Sequence, residues 1–210
     1  MSTAHALPPT PLAPWAEMIP TPGQVMVDIL LTLPDDGYVY EVVEGVLIRM
    51  AGSGNRATRL AARLTARLLD YVEAQALGAV TAADGVYKFP GAETGLIPGV
   101  GYYVAAKAAF IEDDDKPIPF APDLAVEVAS PSQDVSDMAA KARVYLNAGT
   151  RLVWVVWPHG SHIDVWRVGD RNGPSATLGR SDDLDGEDVV PGFAYPVAGI
   201  FADPLAPSLT

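Results

Sequence analysis

No cysteine occurs in the 210 residues. A disulfide framework, a thiolate metal site and a cysteine nucleophile are therefore excluded. Histidine is nearly as scarce. His5 lies in a Pro/Ala-rich stretch, and His159 and His162 flank one Gly-containing turn. The last two could share a metal, yet a turn histidine is more often simply exposed. A nucleophilic triad has no support, because the Gly-x-Ser-x-Gly elbow is missing too. Neither a P-loop nor a dinucleotide-binding glycine motif follows a strand. No apolar run approaches the ~20 residues of a membrane span. The first twenty residues lack the basic-then-apolar order of a signal peptide, so a cytoplasmic protein with no membrane partner is expected.

Basic residues are in deficit. Fourteen Lys and Arg face 26 Asp and Glu, for a net charge of −12. A protein that binds duplex DNA over its whole surface is usually basic, because phosphate neutralisation drives the affinity. The acidity argues against tight non-specific binding. It leaves room for a local basic face, or for an acidic cluster that collects Mg²⁺.

What is present is a core. Hydrophobic residues make up 49% of a chain long enough for one domain. Residues 1–20 read as a flexible arm, with Pro8, Pro9, Pro11, Pro14 and Pro20 and one candidate anchor, Trp15. Residues 21–210 read as a single domain. Thr21-Pro22 looks like a helix start, giving a short helix over 22–32. Two β-rich runs, 38–43 and 46–50, flank Glu44-Gly45 and predict a hairpin. The pleat places Glu41 between Val39 and Val43 on one face.

Residues 56–76 form the clearest helix, with Leu60, Leu64, Leu68 and Val72 at helical spacing. Arg59, Arg63 and Arg67 make an i, i+4 ladder, preceded by Arg56. The bland reading is a solvated face. The functional reading is a nucleic-acid-binding stripe. Strands are expected over 79–89 and 98–104, and residues 112–116 are an acidic loop facing solvent.

The stretch 122–129 is a strand in which Leu124, Val126 and Val128 alternate with Ala125, Glu127 and Ala129. A carboxylate in such a strand is costly unless it is paired, protonated or bound to a metal. A helix follows over 135–147, with Ser132 or Ser136 as its N-cap, and it carries Lys141 and Tyr145. Strands 151–157 and 163–168 read as a hairpin, 169–187 as loop, and 189–201 as a tail packed on the domain. The order predicts an α/β (α+β) domain, a mixed central β-sheet flanked by helices.

Glu41, Glu127 and Lys141 are the residue types that phosphodiester hydrolysis uses. A divalent ion polarises the phosphoryl oxygen and lowers the pKa of a water. Mg²⁺ takes one or two carboxylates and completes its octahedron with waters and substrate. A lysine offsets developing charge. The three lie far apart in sequence, so only the fold can join them. A structural pair of Glu127 with Lys141 is the plain alternative.

From Asp36 to Phe201 the chain resembles the bacterial family of "putative restriction endonucleases" of the Uma type, assigned to the PD-(D/E)XK nuclease-like superfamily. The matching words are Tyr40-Glu41-Val-Val-Glu-Gly45, Pro122-Asp-Leu-Ala-Val-Glu127-Val-Ala-Ser-Pro-Ser132, Lys141 with Tyr145 and Gly149, Val153-Trp154 through Pro158, and Asp188-Val-Val-Pro-Gly-Phe193 with Ile200-Phe201. The resemblance implies a restriction-endonuclease-like fold, Mg²⁺ (or Mn²⁺) dependence, DNA as partner and often a homodimer. It assigns Glu41 and Glu127 as metal and catalytic carboxylates. Ala129 stands where the lysine usually lies, and Lys141 is the candidate replacement.

The chain departs from the family at Pro98-Gly99-Val100, where Pro-Asp-Val is usual and the Asp is a principal metal ligand. It also has Asn55-Arg56 where a histidine tends to open the long helix. Asp84, Glu93 and Asp123 are the carboxylates that could substitute. Two readings stay open: a metal-dependent endonuclease, and a nuclease-fold protein that has lost catalysis and binds nucleic acid or a protein.

Overall fold

The structure is a computed structural model that describes residues 16–19, 26–33, 35–91, 93–170 and 172–202. Strand β1 (Ala16–Ile19) pairs antiparallel with β3 (Val46–Ala51), so part of the expected arm belongs to a sheet. Residues 1–15, Trp15 included, and Thr21-Pro22 lie outside the described residues. Of the helix expected over 22–32, the described residues form a five-residue 3₁₀ helix, Val27–Leu31, and residues 22–25 lie outside them. Thr32 closes it, donating from both its N–H and its hydroxyl to the Ile29 carbonyl at 2.8 Å.

Strand β2 (Tyr38–Val43) pairs with β3 as the hairpin the sequence predicts. Glu44 (φ 50°) and Gly45 (φ 78°) both take the left-handed conformation that a two-residue link between twisted strands favours. Helix α1 (Asn55–Ala74) follows. The expected strand over 79–89 is two strands in two different sheets, β4 (Gly78–Thr81) and β5 (Tyr87–Lys88). The Asp84-Gly85 turn divides them, with both N–H groups donating to the Ala82 carbonyl.

Strands β5 and β6 (Gly95–Leu96) complete a five-stranded sheet in the order β1-β3-β2-β6-β5. The larger, mixed sheet contains β7 (Val100–Val104), β8 (Leu124–Val128), β9 (Leu152–Trp157), β10 (His162–Arg167) and β11 (Ala176–Leu178), in the order β11-β10-β9-β8-β7-β4. Its pairs are antiparallel except β8 with β9. That parallel pair needs a crossover, which helix α2 (Val135–Asn147) supplies. The cap of α2 is Asp134, not a serine. Asp134 and Asp137 form a reciprocal capping box, and Ser136 donates to the Asp134 carboxylate. Two acidic groups there also suit the positive end of the helix.

Residues 169–187 are not all loop. Asp170 accepts from the N–H groups of Arg167 and Ser175, and this fold-back delivers β11 to the edge of β10. Strand β12 (Asp183–Asp185) pairs with β13 (Ala194–Pro196), and the short α3 (Val197–Ile200) ends the described tail. The tail is packed as expected, with Phe193, Val197 and Ile200 buried.

The two faces of the larger sheet are covered differently. Leu60, Leu64 and Leu68 of α1 pack on Leu124, Val126 and Trp154, together with the tail. Met138, Ala142 and Tyr145 of α2 pack on Ala125, Ala129 and Val155. Burial on both faces explains the unbroken apolar run of β9. Leu64 is fully buried in the first layer. Leu64→Ala should lower the unfolding free energy by about 2–5 kcal/mol, the usual cost of a leucine-to-alanine cavity, as read from urea denaturation.

Candidate functional site

Glu127 lies near the end of β8, on the face that looks towards α2 with Ala125 and Ala129. It is 7% exposed. Glu41 lies in β2, in the other sheet, and is 4% exposed. Lys141 and Tyr145 are four residues apart on α2, so they project from one side of the helix. These elements converge. The Lys141 ammonium lies 2.9 Å from Glu41 Oε1 and 3.1 Å from Glu127 Oε1. The Tyr145 hydroxyl donates to Glu127 Oε1 at 2.7 Å. The Ile97 N–H donates to Glu41 Oε1 at 2.9 Å. All three sequence-predicted catalytic candidates thus meet at one point.

Tyr145 and the Ile97 N–H are partners that residue types alone did not identify. The i, i+4 spacing from Lys141 was the available signal for Tyr145. For a backbone N–H there was none.

The electrostatics follow from burial. Burial pushes the Glu127 carboxyl above its ordinary pKa, and Glu41 pushes the same way, against Lys141 and Tyr145. Burial opposes charge on Lys141, but Glu127 and Glu41 outweigh it and hold the ammonium above its usual range. Burial, then Glu127 and Glu41, raise the Tyr145 phenol well above its normal value. At neutral pH Lys141 is a cation and Tyr145 is a hydrogen-bond donor. Neither can serve as a general base.

A cleft of about 390 Å³ opens onto this cluster. It runs from Thr58, Ala61 and Thr65 of α1, past Ile97 and Gly99, to Glu127 and Lys141. Gly99 is the register position opposite Glu127, one step beyond the Val100–Val126 pair. A Cβ there would stand 3.2 Å from the Val126 carbonyl oxygen.

The remaining candidates are placed as follows. Asp84 is exposed on the wall of the same cleft. Glu93 is exposed in a turn, where its carbonyl accepts from Gly45. Asp123 is committed elsewhere: it pairs with Lys107 at 3.0 Å and accepts from the Val104 N–H. His162 stacks on Trp157 and His159 is exposed, while His5 lies outside the described residues. Residues 112–116 are exposed, as expected.

The arginine stripe is not beside the cluster. At about 100° per residue, Arg56, Arg59, Arg63 and Arg67 fall on the side of α1 opposite Thr58, Ala61 and Thr65. Arg63 donates to the carbonyls of Gly199, Ile200 and Ala202 and so clamps the tail. The Arg67 guanidinium lies over the Tyr195 ring, and Arg56 reaches the Pro158 carbonyl.

Do these residues fit the Mg²⁺ that the resemblance implies? Both carboxylates already share one ammonium through Oε1. The position facing Glu127 is Gly99, which offers no side chain. Among the described residues no group of three or more His, Asp or Glu is gathered closely enough to hold a metal ion. A hard cation asks for several convergent oxygens. The donor set does not fit a two-carboxylate metal centre.

Two predictions follow from this chemistry. Tyr145→Phe keeps the ring but removes a donor to a carboxylate, so it should cost about 1.5–3 kcal/mol in chemical denaturation. The second concerns pH. The folded Glu127 carboxyl binds its proton more tightly than the unfolded one. Its stabilising contribution is therefore full below the ordinary value of about 4.3 and is lost as pH rises through the folded value. Stability measured from acid to neutral pH should decline less in Glu127→Gln than in the wild type.

The family model "Uma2: Putative restriction endonuclease" matches residues 27–198. A crystal structure described as a "putative nuclease belonging to DUF820" from Anabaena variabilis superposes with a TM-score of 0.69 at 16% identity, over 84% of this chain and 97% of that one. At that identity the likeness shows the fold. No functionally curated protein matches the chain. Among the described residues no helix is long and apolar enough to cross a membrane.

Proposed function

The chain belongs to the Uma2 family, and on that premise we propose that it is a nuclease-fold protein that engages DNA without cutting it. One observation carries this reading: the position facing Glu127 is Gly99, while Glu127 and Glu41 both pair with Lys141 through Oε1. Phosphodiester hydrolysis of the restriction-endonuclease kind depends on a metal-polarised phosphoryl oxygen, and this donor set does not suit the ion. DNA as the ligand class is inferred from the family's description. Arg56, Arg59 and Arg67 on α1 are the proposed phosphate contacts, and Arg63 donates to the tail carbonyls beside them.

A second reading is an active Mg²⁺- or Mn²⁺-dependent endonuclease, with Glu41, Glu127 and Lys141 as its catalytic group. It is favoured by the convergence of these three residues and by the cleft that reaches Glu127 and Lys141.

Incubation with plasmid, linear and single-stranded DNA separates the two. With Mg²⁺ or Mn²⁺, at low and high salt, the DNA should stay intact. Fluorescence anisotropy should meanwhile show duplex binding that weakens with salt, and that weakens further in an Arg56/Arg59/Arg67→Ala variant. Metal-dependent cleavage that disappears in Glu127→Gln would establish the endonuclease instead.

A further inference from the structure

We propose that Lys141 is a built-in cation that takes the place of a metal ion between Glu41 and Glu127, closing the centre to divalent cations. The inference deepens the non-hydrolytic reading and rests on it for its meaning, but its test is independent of DNA.

The first support is position. Lys141 Nζ lies 2.9 Å and 3.1 Å from carboxylate oxygens that come from two different sheets. A cation between two carboxylates is the arrangement a metal centre would need, and here an ammonium already makes it. The second support is saturation. Glu41 Oε1 also accepts from the Ile97 N–H, and Glu127 Oε1 also accepts from the Tyr145 hydroxyl. An ion using these oxygens would have to displace the ammonium and compete with two further donors. The third is the gap at Gly99, which removes the carboxylate that would give an ion more than the lysine can give.

The lysine is also held from behind. The Asp134–Asp137 capping box fixes the start of α2, and buried Met138, Ala142 and Tyr145 seat the helix on the sheet. The ammonium is delivered by a packed helix and not by a mobile surface chain.

The experiment is Mn²⁺ titration of the full chain by calorimetry, with thermal melting in chelator and in Mn²⁺. The wild type should give no binding isotherm and the same melting midpoint in both conditions. Lys141→Arg keeps the cation and should behave alike. Lys141→Met should melt lower in chelator and recover in Mn²⁺, because an ion that binds only the folded state raises its stability. Gly99→Asp supplies the missing carboxylate at a position whose Cβ presses on the Val126 carbonyl oxygen at 3.2 Å, and its folded form should bind one Mn²⁺ per chain. One Mn²⁺ bound by the wild type and lost in Glu127→Gln overturns the proposal. So does indifference to Mn²⁺ in every folded form of Lys141→Met and Gly99→Asp. If neither variant folds, the wild-type titration alone decides. A chain that fails to bind DNA yet ignores Mn²⁺ sinks the DNA reading and leaves this inference standing.

Discussion

The structure depends on one ammonium held between two buried carboxylates. Lys141 comes from the crossover helix, Glu127 from the larger sheet and Glu41 from the smaller one. The contact is thus a cross-brace between three separately built elements. Such an arrangement is weak evidence for net stability, because desolvating the charges offsets much of their attraction. Its asymmetry matters more. With all three partners present the cluster is tolerated. Without the lysine, two buried carboxylates face each other, and the cost of breaking such a pair runs to about 3–5 kcal/mol. All three residues therefore have a structural role in the fold, whatever chemistry they serve.

The same logic organises the rest of the domain. Buried charges elsewhere are also tied across elements. Asp123 receives Lys107 and the Val104 N–H where β7 gives way to the next turn. Asp164 accepts from Trp157 and Thr177 on the two strands that flank β10. Arg63 supplies the carbonyls at the end of α3 that the short helix leaves without internal donors. In each case one side chain completes the hydrogen bonding of a segment that is not its neighbour in sequence.

This pattern explains what the sequence disclosed and what it withheld. Glu127 stood out because strand periodicity is local: a carboxylate between Ala125 and Ala129 is visible within five residues. The hairpin at Glu44-Gly45, the long helix α1 and the crossover helix α2 were legible for the same reason. The meeting of Glu41 with Lys141 required a separation of 100 positions to be closed by the fold, and only the family resemblance anticipated it. The role of Arg63 was hidden because its partners are backbone carbonyls, which carry no residue-type signature. Asp134 took the cap from Ser132 and Ser136 because it sits where the first turn begins, with Asp137 three residues on. The split between β4 and β5 followed from an Asp-Gly turn inside a run that otherwise read as one strand.

Membership of a nuclease family and possession of its fold do not by themselves fix the chemistry, since activity resides in a few positions carried on the scaffold. Position 99 illustrates how few. Gly99 lies one step beyond the paired residues of β7 and β8, opposite Glu127, and lines the cleft. A Cβ there would meet the Val126 carbonyl oxygen at 3.2 Å and lie 3.8 Å and 3.9 Å from Val128 and Ala61. A carboxylate there would also change the local charge. A third carboxylate would make one lysine insufficient and would favour a divalent ion. With Gly99 the lysine leaves an excess of one negative charge when all three groups are ionised, and the raised pKa of Glu127 reduces even that. The geometry thus leaves the centre with one buried cation between two carboxylates, and Gly99 adds no charge beside them.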